Sequence, residues 1–467
     1  PDDEVTKMPM TAGMRLILGQ GVPEVPVAEI AKWAAQTRDA VAATHPADAQ
    51  EMDATYLTLL VGSNRILGDW AETERLMQAL ESRLASHHSR NSWEKWSTLP
   101  LSYAVLALTG LLLGEFDVAE RATRLAVNLA ASEKNPAEQV RTNNLHALAL
   151  ALRGQMFEAQ GHLDISKEIT EATGADASEV NRSNAALAQA AIHLAGGRLD
   201  AGLEALSRAE PLLNHMEAWV EFVTVESWLL RFKRGNAAAL EQLQRRVGQR
   251  EKPLLSPRGL ARLAAATADL SIQGGNLSQA EKFLFRGVLQ TDEVVLARSR
   301  LAFAKGDPAR AYELASSVVR SPFGANRSVV AGLLAAAALF DTGDEAAALT
   351  ELSHLDLWGD QALFSTIILA LVPYNPLERL AKAASDAGHS ELLEAVKQMP
   401  RSHRFEAAEP LTPAEHRTLR AVADGRTNQE AAASLEISVN TVKAQLRSVY
   451  RKLGVSRRSY LVQAATM

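Results

Sequence analysis

Apolar residues recur at helical spacing through the first 390 positions, in runs that break at a glycine with a small or polar neighbour and then resume. The break returns at Gly68, Gly114, Gly154, Gly197, Gly235, Gly275, Gly306 and Gly343, with gaps of 46, 40, 43, 38, 40, 31 and 37 residues. Stretches such as LLGEFDVAERA, QGGNLSQAEKFL and DTGDEAAALTEL typify the unit, which predicts a helix, a tight turn and a second helix. Glycine suits the end of the first helix because a left-handed residue there carries no Cβ penalty. Asp69, Asn236, Asn276, Asp307 and Asp344 follow their glycines and are placed to accept the free N–H groups of the second helix. Pro308 falls where a first-turn proline is tolerated. Small residues, Ala119, Ala159, Ala280 and Ala311, recur at one place in the second helix, where close packing leaves little room. A lone hairpin cannot bury its apolar stripe, so neighbours must stack.

The unit resembles the tetratricopeptide repeat, a helix-turn-helix of about 34 residues. The period here is longer and irregular, and the Trp-Leu-Gly-Tyr signature is mostly missing, so the repeats are degenerate. The expected fold is all-α: a tetratricopeptide-like helical-hairpin solenoid over residues 1–398, for sensing or oligomerisation, followed by a small helical domain. An all-helical bundle without superhelical order is the plainer alternative for the body.

The pattern changes at residues 399–410, MPRSHRFEAAEP, where two prolines bracket a charged stretch with no apolar period; this reads as an interdomain linker. From Leu411 to Met467, helix starts predict four short helices. Thr412-Pro413-Ala414-Glu415 is a capping box with proline at the first helical position, and Thr427-Asn428-Gln429-Glu430 is a second box following Gly425, which ends the first helix. Ser438 caps the third helix and Ser456 the fourth. Only Glu436-Ile437-Ser438 separates the second and third helices, so they must cross steeply. On the third, Val439, Val442, Leu446, Val449 and Leu453 share the core side, while Asn440, Lys443, Ala444, Arg447 and Arg451 line the opposite side. A cationic and bidentate-capable stripe that begins near a helix N-terminus is what entry into the major groove of double-stranded DNA requires.

Composition narrows the class. The 467 residues, 47 % apolar, suffice for two or three domains or one long solenoid. With no cysteine, disulfides and thiolate metal sites are absent, which favours the cytoplasm. The acidic start PDDEVTKMPM has no signal-peptide character, and no run of about 18 apolar residues could span a bilayer, so no membrane role is expected. The net charge of −6 hides an asymmetry: residues 411–467 hold nine Lys/Arg against four Asp/Glu, or +5, and the rest holds 40 against 51, or −11. A basic tail on an acidic body predicts that the tail meets the polyanion.

These C-terminal motifs resemble the LuxR-type helix-turn-helix family. The matching stretches are Leu411-Thr412-Pro413 with Glu415, Gly425 and Asn428 with Glu430, Ser438 with Asn440-Thr441-Val442-Lys443, and Lys452-Leu453-Gly454-Val455. The resemblance implies a four-helix domain whose helix from Val439 to Leu453 reads DNA, with Lys443, Ala444 and Arg447 toward base edges. It implies phosphate contacts around Thr427, Asn428, Thr441 and Arg451, with Ser438, Asn440 and Lys452 in the same DNA-binding set. It also implies dimer pairing through Tyr460, Leu461 and Ala464. Ala431, Gln445 and Ala414 stand where the family usually has isoleucine, histidine and arginine; the first loosens a core contact, and the second bears on half-site preference. A tail of this kind behind a tetratricopeptide-like body resembles the large regulators typified by the activator of the maltose regulon, which also carry a nucleotide-binding domain. No G-x-x-x-x-G-K-[ST] loop, nor any Gly-Lys dipeptide, occurs in this chain, so nucleotide switching is not expected from it and no cofactor is implied. Whether the chain is a piece of a longer protein or senses directly with its helices stays open.

Other signals are discounted. Gly19-Gln20-Gly21 lacks the third glycine of a dinucleotide turn, and adjacent His87-His88 lacks metal-ligand spacing. Gly110 and Gly114 are read as easing packing or forming a turn. Trp33, Trp70, Trp93, Trp96, Trp219, Trp228 and Trp358 are read as repeat core more readily than as a ligand cavity. No constellation supports an enzyme. The expected function is a DNA-binding transcription regulator, an activator by family resemblance, acting as a homodimer whose body takes a small-molecule effector or protein partner, with RNA polymerase as a further partner. The alternative is an interaction scaffold with a structural tail.

Overall fold

Helix after helix ends on a left-handed residue. The computed structural model describes residues 25–44, 46–88, 99–175, 179–213, 216–250, 255–285, 288–319, 325–355, 366–400, 403–405, 412–423 and 426–453. All eight expected turn glycines have positive φ, from 69° at Gly197 to 92° at Gly235 and Gly343. Gly388, at +100°, forms a further turn that the sequence pattern did not single out. At the Gly114 turn, the Gly114 N–H donates to Leu111 O at 3.2 Å and the Glu115 N–H to Gly110 O at 2.7 Å, so the last carbonyls of the helix are satisfied. Side-chain caps follow at Asp69, Asn276, Asp307 and Asp344, whose Oδ1 atoms accept the N–H three residues on at 3.2, 3.1, 3.0 and 3.0 Å. Asn236 departs from the expectation: it is the first residue of its helix, and its Oδ1 accepts from Arg231 Nε at 3.2 Å instead.

The described body is built of helical hairpins. In chain order they are α1 (Val27–Thr44), α2 (Pro46–Leu67), α3 (Trp70–His88), α4 (Leu99–Leu113), α5 (Phe116–Ser132), α6 (Pro136–Arg153), α7 (Met156–Thr173), α8 (Glu179–Ala195), α9 (Leu199–Ala209), α10 (Trp219–Arg234), α11 (Asn236–Gln249), α12 (Pro257–Gln273), α13 (Leu277–Phe285), α14 (Asp292–Ala304), α15 (Pro308–Val319), α16 (Ala325–Asp341), α17 (Glu345–Ser353), α18 (Thr366–Leu369), α19 (Tyr374–Asp386) and α20 (Glu391–Gln398). Two units emerge: residues 1–229, 243–263 and 323–325 form one, and 230–242, 264–322 and 326–467 the other.

In the first unit, α2 pairs with α3, α4 with α5, α6 with α7 and α8 with α9, and the leading helices also pack in series, α2 on α4, α4 on α6 and α6 on α8. This is how stacked hairpins share one core. The small residues mark the closest approaches: Ala119 and Ala159 here, and Ala280 and Ala311 in the second unit, are fully buried. A Cβ on Gly110 would lie 3.1 Å from Glu115 O and 3.3 Å from Ala119 N, so Gly110 eases packing while Gly114 forms the turn. Trp219 is core, 2 % exposed, beneath the Arg250 guanidinium at 5.6 Å. Gly19-Gln20-Gly21, Trp93, Trp96 and Trp358 lie outside the described residues.

Polar groups are buried at several places. In the first unit the Arg65 guanidinium donates to Val105 O at 3.2 Å, to Thr109 Oγ1 at 2.6 Å and to Glu217 Oε1 at 3.0 Å. Buried His146 meets Thr123 Oγ1 at 2.7 Å through Nδ1, and its ring sits edge-on to His162 at 4.4 Å. In the second unit Asp269 and Arg300 form a buried two-bond pair at 2.7 and 2.6 Å. Burial pushes the nearby Arg231 guanidinium down to about 9, while Asp269 favours its charge.

The expected linker, residues 399–410, begins with anchored residues. Met399 and Phe405 are buried. The Tyr374 N–H donates to Phe405 O at 2.7 Å, the Arg404 guanidinium lies 3.9 Å from the Tyr374 ring centroid, and Arg231 Nη2 donates to His403 O at 3.3 Å. Residues 406–410 lie outside the described residues. Among those described, no helix is long and apolar enough to cross a membrane.

Candidate nucleic-acid interface

Three described helices, α21 (Pro413–Ala423), α22 (Asn428–Leu435) and α23 (Val439–Leu453), surround an apolar core of Leu419, Ala421, Val422, Ala431, Ala432, Val442, Leu446 and Val449. Both capping boxes close reciprocally. The Glu415 N–H donates to Thr412 Oγ1 at 3.2 Å while the Thr412 N–H donates to Glu415 Oε2 at 2.7 Å. Glu430 and Thr427 repeat the two bonds at the same distances. The Thr427 N–H and hydroxyl hold the Glu430 carboxyl below the usual carboxylate range, the backbone bond contributing most. Each box satisfies two of the N–H groups that a helix start leaves open.

The turn between α22 and α23 is as short as the sequence predicts: α22 ends at Leu435 and α23 begins at Val439. Glu436 makes it possible by adopting a left-handed conformation, φ 53° and ψ 40°, which brings the Ile437 N–H to Ala432 O at 3.1 Å. Ser438 then caps α23, its Oγ accepting the Thr441 N–H at 3.0 Å and lying 2.8 Å from Thr441 Oγ1.

With α23 set by that turn, Val442, Leu446 and Val449 are buried and Val439 packs beside them. Asn440, Thr441, Lys443, Ala444 and Arg447 are exposed, as are Thr427 and Ser438 at the two helix starts, and Asn428 is half-buried. The exposed set therefore combines two cationic side chains, an amide and several hydroxyls on and beside one helix face. Such a face offers charge-assisted donors to phosphate and planar donors to base edges. The α23 backbone runs through Arg451 and Lys452, whose side chains, like that of Leu453, lie outside the description; Gly425, Ser456, Tyr460, Leu461, Ala464 and the expected fourth helix are also outside the described residues.

Two features escaped the sequence reading. Glu436 carries the left-handed turn although nothing in a glutamate signals it. Gln445 lies off the outward stripe: it is half-buried, and its Oε1 accepts the hydroxyl of fully buried Thr418 on α21. Ala431, expected to loosen a core contact, is fully buried in that core, and Ala414 is half-buried.

Comparison with known proteins meets this geometry. Residues 409–465 match the family model for bacterial regulatory proteins of the luxR family. Over 431 residues, 87 % of this chain and 44 % of the relative, the chain is 23 % identical to the HTH-type transcriptional regulator MalT of Vibrio cholerae serotype O1. It is 39 % identical over 93 residues, 20 % of this chain and 33 % of the relative, to the HTH-type transcriptional activator RamA of Corynebacterium glutamicum. A third stretch of 54 residues, 12 % of this chain and 26 % of the relative, is 50 % identical to the probable transcriptional regulatory protein SgaR of Hyphomicrobium methylovorum. The chain thus spans less than half the length of each of these curated relatives. The C-terminal segment is a LuxR-type helix-turn-helix domain, joined to a helical body similar along most of its length to MalT.

Proposed function

We propose that the chain is a sequence-specific DNA-binding transcription regulator, an activator, that works in the cytoplasm as a homodimer. One observation carries the reading: Asn440, Lys443, Ala444 and Arg447 point outward from a helix whose other side is pinned by Val442, Leu446 and Val449. In this reading Lys443, Ala444 and Arg447 meet base edges in the major groove, where an arginine pairs with guanine by two bonds. Thr427, Asn428, Thr441 and Arg451 hold phosphates and fix the register, with Ser438, Asn440 and Lys452 in the same DNA-binding set. Tyr460, Leu461 and Ala464 pair two copies; the similarity to RamA, a transcriptional activator, favours activation, with RNA polymerase as a further partner. The helical body takes a small-molecule effector or a protein partner, and its two states differ in how they present the tail.

Fluorescence anisotropy of the full chain against duplex selected from a randomised pool tests this. Binding should be tight at 50 mM salt and weaken by roughly a thousandfold or more by 200 mM. Arg447→Ala should cost about 1–3 kcal/mol on the selected duplex and relax discrimination, whereas Arg451→Ala should weaken all duplexes alike. No binding to any duplex at low salt would sink the proposal; equal losses on all sequences for both variants would overturn the orientation given to α23.

A further inference from the structure

The contacts that hold α23 on its domain at Val442, Leu446 and Val449 are apolar, and apolar contacts have no direction. They set how far the helix stands from its neighbours and resist its rolling only weakly. Roll decides where the outward stripe aims: at a helix radius of about 5–6 Å, a turn of about 10° displaces the side chains by about 1 Å. A functional constellation tolerates only about 0.5 Å and 10–20°.

One directional bond lies on the flank. At 100° per residue, Gln445 stands about 80° from the centre of the apolar seam, well short of the far side where Ala444 and Arg447 lie. The Thr418 hydroxyl donates to its Oε1 across to α21, and Thr418 has no exposed surface. Rolling α23 far enough to break this bond strands a buried hydroxyl, whose desolvation opposes the roll. We infer that Gln445 is a positioning residue: through Thr418 it locks the roll of α23, and so sets the aim of Lys443, Ala444 and Arg447, without itself reading a base. This rests on the DNA-binding function proposed above.

The test uses the full chain, a duplex enriched from a randomised pool by the wild type, and a random-sequence duplex of equal length. Gln445→Met and Thr418→Val each remove one end of the bond at similar volume. Each should lower the ratio of selected to random affinity roughly three- to tenfold, leave low-salt binding to random duplex unchanged, and give no larger loss when combined. Thr418→Ser, which keeps the hydroxyl, should restore the ratio, which a loss of packing alone would not predict. A new base preference in Gln445→Met with an unchanged ratio in Thr418→Val would overturn the inference, because Gln445 would then be a reader. Unchanged ratios in both would overturn it as well. Should Thr418→Val fail to fold, seen as loss of binding to both duplexes, Gln445→Met with Thr418→Ser still decides. Failure of the wild type to bind any duplex would instead strike the proposed function.

Discussion

The helical body and the C-terminal domain place charge in opposite senses. The body takes Arg65, Asp269, Arg300 and His146 inside, each held by named partners. Among the described residues of the C-terminal domain, only Glu415 and Thr418 are buried polar groups, while Lys443 and Arg447 stand in solvent. A charge taken out of water must be matched by a partner, and the match constrains which elements can meet. A charge left in solvent contributes little to stability and stays free for a polyanion. The contrast makes the body sensitive to single substitutions and to acid, and the tail sensitive to salt.

The largest effect should come from breaking the buried pair. Burial pushes the Asp269 carboxyl above its usual range, and Arg300 and then Arg231 pull it back. Asp269→Leu would leave Arg300 enclosed without its carboxylate, at a cost of about 3–5 kcal/mol in urea unfolding at pH 7. Combining Asp269→Leu with Arg300→Met should recover part of that loss, since the Arg300 charge is no longer enclosed without its partner, while buried Arg231 still lacks the Asp269 carboxylate beside it. A single-variant cost below about 1 kcal/mol would mean that water reaches the pair, and the contrast between the two regions would weaken.

Acid should act next, again on the body. Burial above all, then His162 and Arg124, push the His146 imidazolium down to about 4 from its ordinary 6.5. Because the folded value is the lower one, the unfolded chain takes up the proton first as the pH drops. Stability is therefore full above about pH 6.5 and declines toward pH 4, by up to on the order of 3 kcal/mol. Urea midpoints at pH 7.5 and pH 5 should differ clearly in the wild type and much less in His146→Gln; an equal drop in both would place the acid sensitivity elsewhere.

What the sequence discloses follows the same division. The glycine turns, the caps at Asp307 and Asp344, both capping boxes and the stripe from Asn440 to Arg447 are local: each needs partners within about one helical turn, so spacing alone exposes them. The Arg65–Glu217 and Arg300–Asp269 pairs join residues 152 and 31 apart, and no periodicity links such positions. The linker shows both sides of this. Its prolines and charges mark a break, but Phe405 is buried and its carbonyl accepts the Tyr374 N–H, 31 residues earlier. Thr418 and Gln445, 27 apart, were likewise hidden, since each reads as an ordinary polar residue at the edge of an apolar seam.

The smallest predicted effect concerns how the two regions turn a helix. Within its hairpins the body places a glycine at the left-handed turn residue, as at Gly306, φ 80°, where an added Cβ would meet nothing within 4 Å, and only between α5 and α6 does a described non-glycine residue of the body, Lys134 at φ 53°, take that conformation. The tail asks Glu436 to take the same conformation at φ 53°. With no clash to confuse the measurement, Gly306→Ala should report the intrinsic strain of a left-handed residue, about 1–2 kcal/mol, less the entropy that alanine removes from the unfolded chain, for a net loss near 1 kcal/mol in thermal melting. Glu436→Gly exchanges the same two quantities with opposite signs and should stabilise the C-terminal domain by up to about 1 kcal/mol. If it destabilises instead, Glu436 contributes more to the turn between α22 and α23 than its strain costs, and the stiffness of that turn, which sets where α23 starts, is what the glutamate provides.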